Sequence, residues 1–149
     1  MQVKLTIVYG QICVFNSDLE APYNDWSERS VAQGFAYREG AVAFRVPDHT
    51  DAYAVCVTYR SDGTHKSESP KREWRVPFDV GSECEFGSVF ETFKLDLDLG
   101  HYALTVGIYE GCDEIHINFQ KSQTPVLPQI TAGQKLPNGQ GFFMDEDPA

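Results

Sequence analysis

The chain has 149 residues, 42% hydrophobic and 23% charged, which suits one domain of ordinary size and excludes wholesale disorder. A core of that size needs neither disulfides nor metal to fold. Twelve Lys and Arg against twenty-two Asp and Glu give a net charge of −10, which disfavours direct binding to nucleic acid or an anionic membrane and favours basic partners.

The predicted elements follow a period of two. Val3, Leu5, Ile7 and Tyr9 share one face of a first strand, and after Gly10 the segment Ile12 to Phe15 resumes extended chain. A polar loop with Pro22 leads to a short helical segment, in which Asp25 is placed to cap, Glu28 follows three residues later and Gly34 suits the stop. Ala41 to Val46 reads as a strand. So does Tyr53 to Tyr59, with Tyr53, Val55, Val57 and Tyr59 on one face. The polar run 61–70 reads as a hairpin around Asp62-Gly63. Trp74, Val76, Phe78 and Val80 form the next apolar face, where Pro77 lacks an N–H and calls for an edge position or a bulge. Phe93, Leu95, Leu97 and Leu99 alternate with acids, Gly100-His101 turns, and Tyr102 to Ile108 returns. Ile115, Ile117 and Phe119 complete about eight strands. The expected fold is all-β, an antiparallel β-sandwich over residues 1–120 with one short inserted helix. Residues 121–149 form a Pro- and Gly-containing extension, in which 126–131 adds a strand or packs extended and the acidic end from Met144 is expected to be mobile.

The first fifteen residues lack the basic start and continuous apolar run of a secretory signal, and a cytoplasmic location is expected. Cys13, Cys56, Cys84 and Cys112 are too far apart for a CxxC half-site and are expected as free thiols. The four histidines show no metal-ligand spacing, and the DLDLG string 96–100 lacks the further oxygen ligands of a calcium loop. Cys84 lies between Glu83 and Glu85, where like charge works against a thiolate. With no nucleophile motif and no phosphate loop, the chain reads as a non-enzyme without cofactor or metal.

Charge is unevenly distributed. Residues 79–120 carry Lys94 alone against nine acids: Asp79, Glu83, Glu85, Glu91, Asp96, Asp98, Glu110, Asp113 and Glu114. By themselves these could be a solubilising surface or a surface that steers toward a basic partner. Tyr23, Trp26, Phe35 and Tyr37 cluster around the helix, where aromatic residues either seal a core or anchor a partner.

Several segments carry a resemblance to a known family. VYGQICVF (8–15), Asp25-Trp26, GFAYREGAVAF (34–44), VPF (76–78) and GHYAL (100–104) occur in the order and at the spacing that resemble the ComJ family of competence-associated DNA-entry nuclease inhibitors. The likeness covers roughly residues 3 to 110. It implies a β-sandwich that binds and blocks a metal-dependent DNA nuclease without catalysis of its own, a role that in another setting is immunity to a nuclease toxin. The partner is then a protein, with no direct nucleic acid and no membrane insertion. The family supplies no contact motif. Candidate contact residues are therefore the acids Glu83, Glu85, Glu91, Asp96, Asp98, Asp113 and Glu114, with Tyr23, Asp25 and Trp26 as a rival anchor. A carbohydrate- or lipid-binding β-sandwich is the alternative reading.

Overall fold

A computed structural model describes residues 1–47, 52–58, 69–109 and 114–149. Eleven strands and one helix occur among them: β1 (Gln2–Thr6), β2 (Gln11–Asn16), α1 (Glu28–Gln33), β3 (Phe35–Arg38), β4 (Ala41–Arg45), β5 (Ala52–Thr58), β6 (Arg72–Val80), β7 (Cys84–Gly87), β8 (Thr92–Leu95), β9 (Gly100–Tyr109), β10 (Glu114–Lys121) and β11 (Gln129–Ala132). They form two sheets, ordered β1-β5-β10-β9-β6-β11 and β3-β4-β2-β7-β8. The all-β expectation holds. Of the three strands beyond the expected eight, β11 falls in the segment expected to add one or pack extended, while β3 and β7, each of four residues, are too short for alternation to stand out.

The apolar rows meet face to face. In the six-stranded sheet Val55 lies between Val3 and Ile115, Ile115 pairs with Ile108, and Val106 pairs with both Ile117 and Trp74. These rows face Ile12, Val14, Val42, Phe44, Phe35 and Phe86 of the other sheet in one continuous core. Trp74, almost wholly buried, lies tilted on Phe44 with ring centroids 5.6 Å apart and donates its N–H to the Gln33 carbonyl at 2.9 Å.

Four expectations need correction. The sandwich is not wholly antiparallel: β10 pairs with β5 in parallel, because the two strands reach each other through a long excursion rather than a hairpin. The first strand stops at Thr6, since Tyr9 and Gly10 take left-handed backbone (φ 59 and 62) in a two-residue turn joining Val8 to Gln11. Likewise β8 ends at Leu95, so Asp96 and Asp98 lie in the connection to β9 and not on a strand face. Pro77 conforms to the edge requirement. It pairs with Ala103 of β9, and β11 covers only Glu73 to Arg75, so no ladder partner on that side needs its N–H.

The fourth correction concerns the helix and the chain end. Asp25 does not cap α1; Ser27 does, accepting from the Ser30 N–H, and Gly34 (φ 86) closes the other end. The acid serving the helix start comes from residue 146. Glu146 accepts from the Ser27 N–H at 3.1 Å and the Ser30 hydroxyl at 2.5 Å, and is buried. Backbone bonds from Asp25 to Asp147, from Ala149 to Tyr23 and from Glu146 to Tyr37 hold the last residues down. The expected mobile acidic end is therefore a docked strap, fixed because its carboxylate satisfies donors at the helix N-terminus. The expected hairpin at 61–70 falls largely outside the described residues, as do Tyr59, His49, His65 and Cys112.

Candidate functional site

The loop 17–27 lies over the outer face of the five-stranded sheet. Tyr23, Leu19 and Trp26 cover Cys13, Phe15, Ala36, Ala41 and Ala43, which explains why every residue of β2 is buried. Tyr23 stands edge-on to Phe15 at 6.0 Å, and burial, then the nearby Cys13 and Glu85, push its phenol pKa up. Trp26 lies at the far end of this face, half-buried, its indole N–H donated to Gln11 Oε1 at 3.0 Å. Asp25 is exposed, with its backbone N–H committed to Asp147. Tyr23 is thus chiefly a cover for the sheet, and Trp26 opens onto a separate cleft.

The acids divide between the two ends of the sandwich. β2, β6 and β7 start or stop at one end, and so do β8, β9 and the β3–β4 turn. Cys84 pairs with Leu95, which sets Glu83 and Asp96 beside each other just beyond β7 and β8. Glu83 meets Lys94 at 3.4 Å on the open surface, a contact of little energy. Glu85 is held more firmly, with one oxygen accepting from Ser17 Oγ at 2.7 Å and the other from Thr92 Oγ1 at 2.9 Å. Asp98 is exposed, and its carbonyl accepts from the Tyr102 hydroxyl at 2.8 Å.

Three further acids lie at this end, of which Asp18 and Glu39 escape a reading by charge runs. Asp79 lies 2.5 Å from His101 Nδ1, Asp18 accepts from Ser82 Oγ at 3.0 Å, and Glu39 occupies the β3–β4 turn. Asp18 and Glu39 belong to the first third of the chain, where six acids face four bases. Only the turn positions just after β2 and β3 would have placed them here. Asn16 fixes the end internally, donating to the Asp79 carbonyl at 2.9 Å and accepting from the Gly81 N–H at 3.1 Å.

Asp18, Glu39, Asp79, Glu83, Glu85, Asp96 and Asp98 thus gather around one end, with Lys94, Lys121, Arg38 and His101 among the basic groups described there. The field is visible in Tyr37. Burial first, then the charges of Asp79 and Glu39, push its phenol up to about 12.

Glu91 and Glu114 are elsewhere. Glu91 accepts from the Thr6 N–H at 3.1 Å in the β7–β8 turn, at the opposite end. Glu114 pairs with Tyr109 at the far end of β9 and meets His116 at 3.0 Å. β9 spans ten residues, about 30 Å, and sets Glu114 far from Asp98, while Glu91 and Asp96 flank opposite ends of β8, about 17 Å apart. Asp113 lies outside the described residues.

Chemistry at the site is electrostatic. Cys13, Cys56 and Cys84 form no disulfide. Burial drives the Cys13 thiol to about 12, and burial followed by the Glu85 charge does the same to Cys84, so neither is a thiolate near neutral pH. Among the described residues no three His, Cys, Asp or Glu side chains converge as a metal site.

The comparisons with known proteins agree with this architecture. The family model for Competence protein J (ComJ) matches residues 4–127. The DNA-entry nuclease inhibitor of Bacillus subtilis (strain 168) is 30% identical over 105 residues, 68% of this chain and 76% of that protein. The crystal structure of ComJ, inhibitor of the DNA degrading activity of NucA, from Bacillus subtilis, is similar at a TM-score of 0.70 and 23% identity, covering 82% of this chain and 96% of that one. Strands β2 to β10 and the end of β1 fall within the matched residues, and the strap that docks on α1 lies beyond them. The chain belongs to the ComJ family.

Proposed function

We propose that this protein binds a DNA-degrading nuclease and blocks it, as an inhibitor without catalysis of its own, and that its acidic end makes the contact. The gathering of seven carboxylates at one end, from turns and strand ends spread over residues 18 to 98, carries the choice of surface. A nuclease holds a polyanion, so its cleft is positive or metal-bearing. A rigid end of the sandwich that presents carboxylates competes for the same cations without offering a bond to cleave. Family membership and the inhibitory activity named for the Bacillus subtilis relative support the class of partner.

The test is titration of this protein into a DNA-degradation assay with the cognate nuclease. The expected result is a stop in degradation at a fixed molar ratio, with both proteins eluting together on size exclusion. Undiminished degradation in the presence of an excess of folded protein would contradict the proposal.

A further inference from the structure

The end opposite the acids is built differently. Tyr9 is 82% exposed and holds a left-handed backbone, φ 59. In a two-residue turn with both central residues at positive φ, Asn-Gly is the favoured pair, because Asn tolerates that backbone and an aromatic residue does not. At this position the Tyr side chain gains no burial to offset the strain, so packing does not account for it. It lines a cleft of about 350 Å³ with Trp26, Val31 and Arg45. Val31 is 45% exposed, and Phe90, in the turn that approaches Thr6, is 73% exposed at the same end.

Arg45 lines this cleft, and Arg72 lines a neighbouring one that shares Pro47 with it. The Arg45 N–H donates to the Gly34 carbonyl at 2.9 Å, and a Cβ on Gly34 would sit 3.0 Å from the Arg72 guanidinium. Arg72 also lies 4.9 Å over the Trp74 ring. Burial, and then the Arg45 charge, lower the Arg72 pKa, so the two cations feel each other. Neither has a carboxylate within ion-pair distance among the described residues.

We propose that Tyr9, Trp26, Val31, Arg45 and Arg72 form a second protein-interaction surface, which receives a short acidic segment with an apolar side chain. The arginines take carboxylates in forked hydrogen bonds, and the cleft between Tyr9 and Trp26 takes the apolar group. Tyr, Trp and Arg are the residue types that dominate interface energies. The acidic end does not cancel this attraction, because the five residues of β4 set Arg45 about 17 Å from the β3–β4 turn and screening at physiological salt acts over about 8 Å. The surface goes beyond the nuclease contact proposed above, since it selects a partner of opposite charge.

The probe is a pentapeptide of leucine flanked on each side by two glutamates, with a glutamine counterpart and a single-stranded oligonucleotide as comparisons. Binding is followed through the indole fluorescence of Trp26, with Trp26→Phe assigning the signal. The expected result is saturable quenching by the glutamate peptide alone, weakened at least tenfold in Arg45→Glu, with nuclease inhibition unchanged. Equal binding of the glutamine peptide, no binding of the glutamate peptide at millimolar concentration, or preference for the oligonucleotide would overturn the proposal. Loss of nuclease inhibition in Arg45→Glu would also overturn it, by assigning this end to the nuclease. The acidic-end assignment is tested separately, through Asp96 and Asp98.

Discussion

Tyr9 and Asn24 are placed by opposite physical rules. Asn24 is buried and spends its side chain on structure, donating to the Ala36 and Ala41 carbonyls at 2.8 and 3.0 Å and accepting from Arg38 at 2.7 Å. Tyr9 is exposed and strained, with no such return. Tyr9→Asn is therefore expected to raise unfolding free energy by about 1 kcal/mol in urea denaturation, because it removes left-handed strain and loses little burial. Destabilisation would mean that the ring has a packing role. The identities of Tyr9, Gln11 and Trp26 were legible in the sequence as part of a family likeness. Their use was not, because alternation puts Tyr9 on the buried face with Leu5 and Ile7, and only the turn geometry takes it out.

Among the elements, α1 shows where local signals reach their limit. A six-residue helix is too short to stand alone, and its Ser27 cap is supported by an acid from a segment more than a hundred residues away. Asp25 followed by Glu28 imitates a capping box, but the acid that closes it is Glu146, which no spacing rule connects to Ser27. The strap has a second hold in Gln33, which donates to the Phe143 carbonyl at 2.8 Å and accepts its N–H at 2.9 Å, while Phe142 stacks on Phe35. Burial alone would raise the Glu146 pKa, but bonds from Ser30, Ser27 and the Asp147 N–H outweigh it and hold the carboxyl below its usual range. A depressed carboxylate stabilises the fold above its unfolded pKa, about 4.3, and that stability is lost as pH falls through the folded value. Glu146→Gln is accordingly expected to cost about 2 kcal/mol at pH 7, with the difference from the natural protein shrinking below about pH 4. A pH-independent difference would show that the charge has no part in the cap. The long alternating strands, by contrast, were legible because each repeats its pattern over several residues against one core. The parallel pairing of β5 with β10 was not, since alternation carries no direction.

The described residues form a two-sheet body with carboxylates gathered at one end and Arg45, Arg72 and exposed aromatic rings at the other. Sequence segments alone place the acids of 79–120 together. The fold separates Glu91 and Glu114 from that group and brings in Asp18 and Glu39, because strand ends and not chain proximity decide which turns meet. Charge arranged in this way acts mainly on the rate of encounter, and its effect falls with salt. The most direct measurement is the association rate with the cognate nuclease, for the natural protein and for Asp96→Lys with Asp98→Lys, at low and high salt. The account predicts at least a tenfold slower rate for the variant at low salt, a flatter salt dependence and an unchanged melting temperature. An association rate and inhibition equal to those of the natural protein at both salt concentrations would contradict it.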